Sequence, residues 1–261
     1  MFTSNPFAEL SSWISPFVMQ TYLIVMVALV VLGTVYDVLH KKSATYFFNN
    51  WQKAKTQGTR PVGGAEVASL AIQTAVVDVL TSGEFCNLRR RIAHLLTMYG
   101  FVMFAVTTVI MVFWYPTPAT PTPELLPQIW AIGALMVCVG GYWFWFFIRV
   151  DVVAEGGSPF RIMRADLFVL SLLASASWAL VWACLLASGN WLANLAFGLF
   201  LIATTVLFGA VPWSKFAHMF FKPAAALERR ISEANGSRNN LPAPANKPKK
   251  FGTTNQQTKN Y

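Results

Sequence analysis

Residues 17–39, FVMQTYLIVMVALVVLGTVYDVL, decide how the rest of this chain is read. Asp37 is the one charged residue in the stretch, and it sits near the end. A helix that crosses a bilayer needs about 20 mostly apolar residues, because hydrocarbon offers its backbone no partner except itself. A soluble core has no need of so long an unbroken run. No basic residue precedes the stretch, while Lys41 and Lys42 follow it, so it reads as an uncleaved span and not as a signal peptide.

Working outward, four more blocks pass the same test: Ile92–Trp114, Ile129–Ile148, Leu167–Ser188 and Trp191–Trp213. The composition agrees. The 261 residues are 55% hydrophobic and 12% charged, where a soluble domain carries about 25% charged residues. The expected fold is an all-α integral membrane protein with five transmembrane helices. Residues 1–16 form a short outer segment, with Trp13 and Pro16 at the interface. Residues 17–234 form the membrane domain, and 235–261, rich in Asn, Pro, Lys, Gly and Thr, form a disordered basic tail.

Orientation follows from the 20 Lys and Arg residues. All fall in three segments: between spans one and two (Lys41 to Arg91), from Arg149 to Arg164, and after span five (Lys215 to Lys259). The N-terminal stretch, the Tyr115–Gln128 loop and the Gly189–Asn190 turn have none. The positive-inside rule then puts the N-terminus outside and the C-terminus in the cytoplasm. The net charge of +9 is accounted for by topology and calls for no nucleic acid. Attraction to anionic lipid or an acidic protein is a secondary use of the same charge.

Within the first basic segment, Ala68, Ile72, Ala75, Val76 and Val79 make an apolar stripe from about 64 to 80, with Glu66, Gln73, Thr74 and Asp78 opposite. That pattern fits a helix lying at the membrane interface or one packed on the cytoplasmic ends of the bundle. Prolines 116, 118, 121, 123 and 127 make the outer loop a stiff spacer. Ser188-Gly189-Asn190 joins spans four and five as a tight hairpin, Pro212 ends span five, and Phe216–Ile231 has the pattern of an amphipathic helix. Cys86, Cys138 and Cys184 are too scattered to hold an iron–sulfur cluster and read as small packing residues.

Three histidines remain: His40 at the end of span one, His94 at the start of span two, His218 after span five. In the expected topology all three lie on the cytoplasmic side. Two imidazoles from facing helices are what a six-coordinate haem iron requires; interfacial histidines bonded to head groups or carbonyls are the plainer alternative. A quinone site would need an apolar slot with one or two donors near the inner interface. By depth the candidates are Tyr36, Asp37, His40, Tyr99, Trp143 and Arg149, of which the aromatics and Arg149 serve equally as belt residues.

Two stretches, Arg90-Arg91-Ile92-Ala93-His94-Leu95-Leu96-Thr97-Met98-Tyr99-Gly100-Phe101 and Pro212-Trp213-Ser214-Lys215-Phe216-Ala217-His218-Met219, resemble the five-span cytochrome b fold. That fold includes the gamma subunit of respiratory nitrate reductase and the membrane subunits of heterodisulfide-reductase-type complexes. The resemblance implies His94 and His218 as axial ligands of one inner-side haem b. The positions that would hold a second haem are Phe104 and Phe200, which cannot ligate iron; the nearest polar residue in early span five is Asn194. Over most of the chain the likeness is closer to another family. Tyr36-Asp37-Val38-Leu39-His40-Lys41-Lys42-Ser43-Ala44-Thr45-Tyr46-Phe47-Phe48 and Gly83-Glu84-Phe85-Cys86-Asn87 resemble the membrane anchor of adenylylsulfate reductase of sulfur-oxidising bacteria. This implies a multi-pass protein of the bacterial inner membrane, not catalytic alone. It would dock the alpha and beta subunits of that enzyme on its cytoplasmic face and exchange electrons with quinone. A non-redox scaffold that only recruits a soluble protein is the alternative. A solute transporter is disfavoured by the lack of inverted repeats and paired intramembrane charges.

Overall fold

The computed structural model describes residues 2–40, 43–83, 85, 87–149, 162–214 and 218–237. The expected tail beyond residue 237, the Lys215–Ala217 stretch and Cys86 lie outside the described residues. Every regular element among the described residues is helical. In chain order these are α1 (Pro6–Glu9), α2 (Pro16–His40), α3 (Ser43–Gln57), α4 (Gly64–Gln73), α5 (Leu88–Trp114), α6 (Leu125–Trp143), α7 (Leu167–Ala187), α8 (Ala193–Gly209) and α9 (His218–Ala234). Wider π-helical turns extend α4 over Thr74–Leu80 and α6 over Phe144–Ile148. The chain divides into two compact units, Met1–Lys41 with Arg89–His218, and Lys42–Leu88 with Met219–Tyr261.

In the first unit α2, α5, α6 with its extension, and α7 are long and apolar enough to cross a membrane. The fifth apolar helix, α8, has 17 residues. At about 1.5 Å per residue it covers about 26 Å, slightly less than a typical hydrocarbon thickness. It stops at Gly209 while its apolar block runs on to Trp213. Pro212 lacks an N–H and restricts Val211 before it, so the chain closes in turns, with the amides of Trp213 and Ser214 donating to Ala210 O at 3.0 and 2.9 Å.

Small residues set the helix contacts, as expected where lipid tails are as apolar as the side chains and close packing decides. A Cβ added to Gly133 of α6 would stand 2.7 Å from Phe104 N and 2.8 Å from Gly100 O of α5. One added to Gly140 would stand 2.7 Å from Ala93 O and Thr97 Oγ1. Trp130 Nε1 donates to Thr108 Oγ1 at 2.9 Å across the same contact. The turn after α7, with Gly189 at φ +65°, sends α8 back along it. Trp182 meets Phe197 at 4.8 Å between ring centroids and Ser175 shares a buried 2.8 Å hydrogen bond with Thr204, so residue numbers fall on one helix as they rise on the other.

Helix α2 buries only a narrow stripe, Met19, Met26, Gly33 and Asp37. It is pinned by Tyr22 to Leu201 O at 3.1 Å and by Gln20 to Val112 O at 3.2 Å. Gly33 lies against Val211 and Pro212. These contacts put the late parts of α2 and α6, the close of α8 and the starts of α5 and α7 at one end of the unit. At the other end the N-terminal stretch is folded, not merely external. Asn5 caps α1 by accepting from Phe7 N at 3.0 Å and donates its amide to Tyr115 O at 2.9 Å and Thr122 Oγ1 at 3.1 Å. Phe7 then sits edge-on to Trp130 and Trp182.

The second unit is built from α3, α4 with its π turn, and α9. Asp78 accepts two hydrogen bonds from Arg230, 2.8 Å from Nε and 2.9 Å from the terminal nitrogen, and only 6% of its side chain is exposed. The end of α9 is held by Asn235 O, which accepts from Thr59 N at 2.7 Å and Thr59 Oγ1 at 3.1 Å. Thr74 and Asp78 of the polar side of the 64–80 helix therefore pack inward, while Ile72 and Val76 of the apolar side are exposed, as is Leu80.

Candidate functional site

The sequence candidates gather at the end of the first unit where α2 and α6 finish and α5 begins. Helix α2 offers two different surfaces there. Asp37 is 4% exposed, on the stripe that faces the other helices. Tyr36 and His40, one turn apart, stack with ring centroids 5.4 Å apart and planes 7° from parallel, both on the exposed side. An acid inside an apolar bundle is costly and is retained for a reason. The histidine and tyrosine beside it in sequence lie in different surroundings and do not complete a pocket with it.

Arg149 follows the π turn of α6. Its guanidinium pairs with the Asp166 carboxylate at the entrance to α7, and 8% of its side chain is exposed. The same cation lies 4.0 Å over the Trp145 ring, and Asp166 Oδ2 also accepts from Met163 N at 2.8 Å. The arrangement is a clamp between consecutive helices, with the charge compensated on one side and stacked on the other. Asp166 escaped attention in the sequence. The available signal was an acid immediately before an apolar run whose preceding span ends in Arg149.

His94 is exposed on α5, one position beyond Ala93, whose carbonyl lies against Gly140. Tyr99 is 39% exposed. His218 opens α9, and its side chain lies outside the described residues. Of the implied haem pair, one imidazole is thus described, at the surface of its helix. The second-haem positions are described in full. Phe104 and Phe200 meet edge to face at 6.3 Å, in a cluster with Trp130, Trp182 and Phe197. Aromatic rings occupy those two positions, and neither phenylalanine can ligate iron.

Beside this cluster a groove of about 140 Å³ runs among α2, α5, α7 and α8, lined by residues including Met26, Val30, Phe101, Phe104, Phe200 and Leu207. Its hydroxyls are engaged within the protein: Ser175 with Thr204, Thr108 with Trp130, and Tyr22 with Leu201 O. It suits an apolar chain better than a polar ring. No run of sequence marked it, because four separate helices contribute its walls. Among the described residues no group of three or more His, Cys, Asp or Glu side chains is placed to hold a metal ion.

The chain is similar to citrate utilization protein B of Escherichia coli, 28% identical over 202 residues, which cover 71% of this chain and 51% of that protein. It therefore spans about half the length of the curated relative it matches. No protein-family model matches, and no solved structure matches.

Proposed function

We propose that this chain is a five-span membrane subunit that docks a soluble oxidoreductase at its basic end and passes electrons between that enzyme and the membrane quinone pool. The observation that carries the reading is the one-ended construction of the protein. The helix contacts bring the ends of α2, α6 and α8 and the starts of α5 and α7 to one level. The segments leaving that level hold all 20 Lys and Arg residues, and two of them supply the second, polar-packed unit. Such an end is a platform on which complementary charge steers a partner. In this reading α8 crosses with the other four, antiparallel to α7, and the platform faces the cytoplasm of a bacterial cell.

The partner indicated by the motifs at Tyr36–Phe48 and Gly83–Asn87 is adenylylsulfate reductase. A partner serving citrate use is the second reading, favoured by the similarity to citrate utilization protein B. The inner-side haem b is a separable part of the proposal. It would be held by His94 and His218 and would supply one-electron transfer between the partner's cofactors and quinone. Purification from detergent with its partner decides among these. The expected result is co-purification of the alpha and beta subunits of adenylylsulfate reductase, and sulfite-and-AMP-dependent reduction of a quinone analogue. A Soret band that shifts on reduction and is lost in His94→Ala is expected for the haem. A full complex that never exchanges electrons with the quinone analogue would reduce the protein to a scaffold.

A further inference from the structure

The second unit contains a cleft of about 280 Å³ that the docking proposal does not use. Its walls are Trp51 of α3, Arg60 to Val62 of the following segment, Val67 of α4, and Glu228, Ile231 and Asn235 of α9. A volume of this size stands at the lower edge of small-molecule sites, which start at about 300 Å³. Five of the eight lining residues are apolar, and the polar ones are Arg60, Asn235 and the acid Glu228. Glu228 is 9% exposed, and its Oε1 is buried without a hydrogen-bond partner among the described residues.

A buried carboxylate oxygen with no donor is expensive, and burial pushes the Glu228 carboxyl above the ordinary glutamate range. The other charges of the cleft do not relieve it. The Arg60 guanidinium is committed to Glu66 by a two-pronged pair at 3.0 and 2.5 Å, and half of its side chain is exposed at the rim. Among the described residues no cation stands beside Glu228, and the Trp51 ring supplies the kind of wall that cations prefer.

We infer that this cleft binds the ammonium group of an ethanolamine phospholipid, with Glu228 as counter-ion and Trp51 as the aromatic wall. The lipid source follows from the unit itself. Its segment Lys42–Leu88 lies in sequence directly between α2 and α5, two helices long and apolar enough to cross a membrane. It also exposes Phe48, Ile72, Val76 and Leu80, side chains that find their natural cover at a bilayer surface. Arg60 at the rim keeps donors beyond those given to Glu66 and suits the phosphate that follows an ethanolamine nitrogen. This inference stands apart from electron transfer and from the identity of the soluble partner.

The test uses the full-length protein in detergent and native mass spectrometry with two lipids. Dioleoylphosphatidylethanolamine has the ammonium. Dioleoylphosphatidylglycerol keeps the tails and phosphate without it. The wild type is expected to retain the ethanolamine lipid in preference. Glu228→Gln should weaken that retention at least about tenfold, and Trp51→Leu about threefold, while phosphatidylglycerol retention stays the same. Glu228→Gln keeps shape and removes a buried charge, so lost binding cannot come from unfolding when its thermal stability equals or exceeds the wild type's. Equal retention of both lipids by the wild type, or an unchanged preference in Glu228→Gln, overturns the inference. Protection of Glu228 from a carbodiimide only when a soluble partner is added assigns the cleft to a protein cation and also overturns it.

Discussion

Replacing Gly133 by alanine should loosen the α5–α6 crossing even though it improves α6 as a helix. The added Cβ would stand 2.7 Å from Phe104 N, 2.8 Å from Gly100 O and 3.0 Å from Met103 Cβ. Non-bonded carbon contacts are comfortable near about 3.5 Å, so the helices must separate by several tenths of an ångström. The two nearest atoms are backbone, and no change of rotamer relieves them. Overpacking of this kind costs about 1–3 kcal/mol, against a helix-propensity gain of up to about 1 kcal/mol for Gly→Ala.

Gly198 of α8 provides the control, because a Cβ there meets nothing within 4 Å. Gly198→Ala should be neutral or slightly stabilising, and the difference between the two variants cancels the propensity term. About 2 kcal/mol then belongs to the crossing alone. Titration with sodium dodecyl sulfate in mixed micelles, followed by tryptophan fluorescence, measures it, since Trp130 is bonded to Thr108 within the same contact. Gly133→Ala should unfold at a lower detergent fraction than both wild type and Gly198→Ala. If the two alanine variants unfold together, the close approach of α5 and α6 described here is wrong.

Arg230→Ala should destabilise the second unit by about 3 kcal/mol, because it strands the buried Asp78 carboxylate; the double variant with Asp78→Asn should recover part of that, as read by hydrogen exchange over residues 74–80. Glu228 has the opposite sign. Its proton is held more tightly folded than unfolded, so stability is highest where both states are protonated and falls as pH rises through the ordinary glutamate range. Glu228→Gln without bound lipid should therefore match the wild type near about pH 4 and melt higher at neutral pH; a variant less stable at neutral pH contradicts the burial argument. Asn5→Ala should cost about 1–2 kcal/mol through loss of the α1 cap and of the amide bonds to Tyr115 and Thr122, whereas Asn5→Ser should retain the cap part, both read by thermal melting in detergent.

The apolar helices were legible because hydrocarbon imposes a length and a composition that need no knowledge of neighbours. The Ser188–Asn190 hairpin was legible for a local reason too, the glycine that accepts a positive φ. What depended on distant partners was not. Helix α3 carries Asn49, Asn50, Gln52 and Lys53 through its middle, which blurs any apolar stripe. The 64–80 helix displayed two faces in the sequence, but which one packs is decided by Arg230, 152 residues away. The same holds at the candidate site. Depth alone gathered Asp37, His40, Tyr99 and Arg149 into one band. The fold then separates them, because a helix turns consecutive residues toward different surroundings. Arg149 is taken up by Asp166, and His40 by Tyr36 on the outer face.

The charge asymmetry also changes character once the helix contacts are known. In the sequence it is a statistical preference of basic residues for one side. In the fold, Gly33 against Val211, Ala93 against Gly140 and Gly141 against Leu173 place five helix ends in one layer, so three chain segments, two connections and the stretch after α8, leave the apolar unit at the same end. Those segments contain every Lys and Arg, while the opposite end is closed by the Asn5 cap, the proline-rich loop and the Ser188–Asn190 turn, all without basic residues. Polar construction follows the same division. Arg230–Asp78 and Thr59–Asn235 hold a separate unit from segments that issue from the basic end, whereas the centre of the apolar unit is closed by Phe104, Phe200, Trp130 and Trp182. In the proposed reading, electrons carried through the full thickness of the apolar unit would have to pass the packed aromatic cluster of Phe104, Phe200, Trp130 and Trp182, which is why that reading puts exchange with quinone at the basic end.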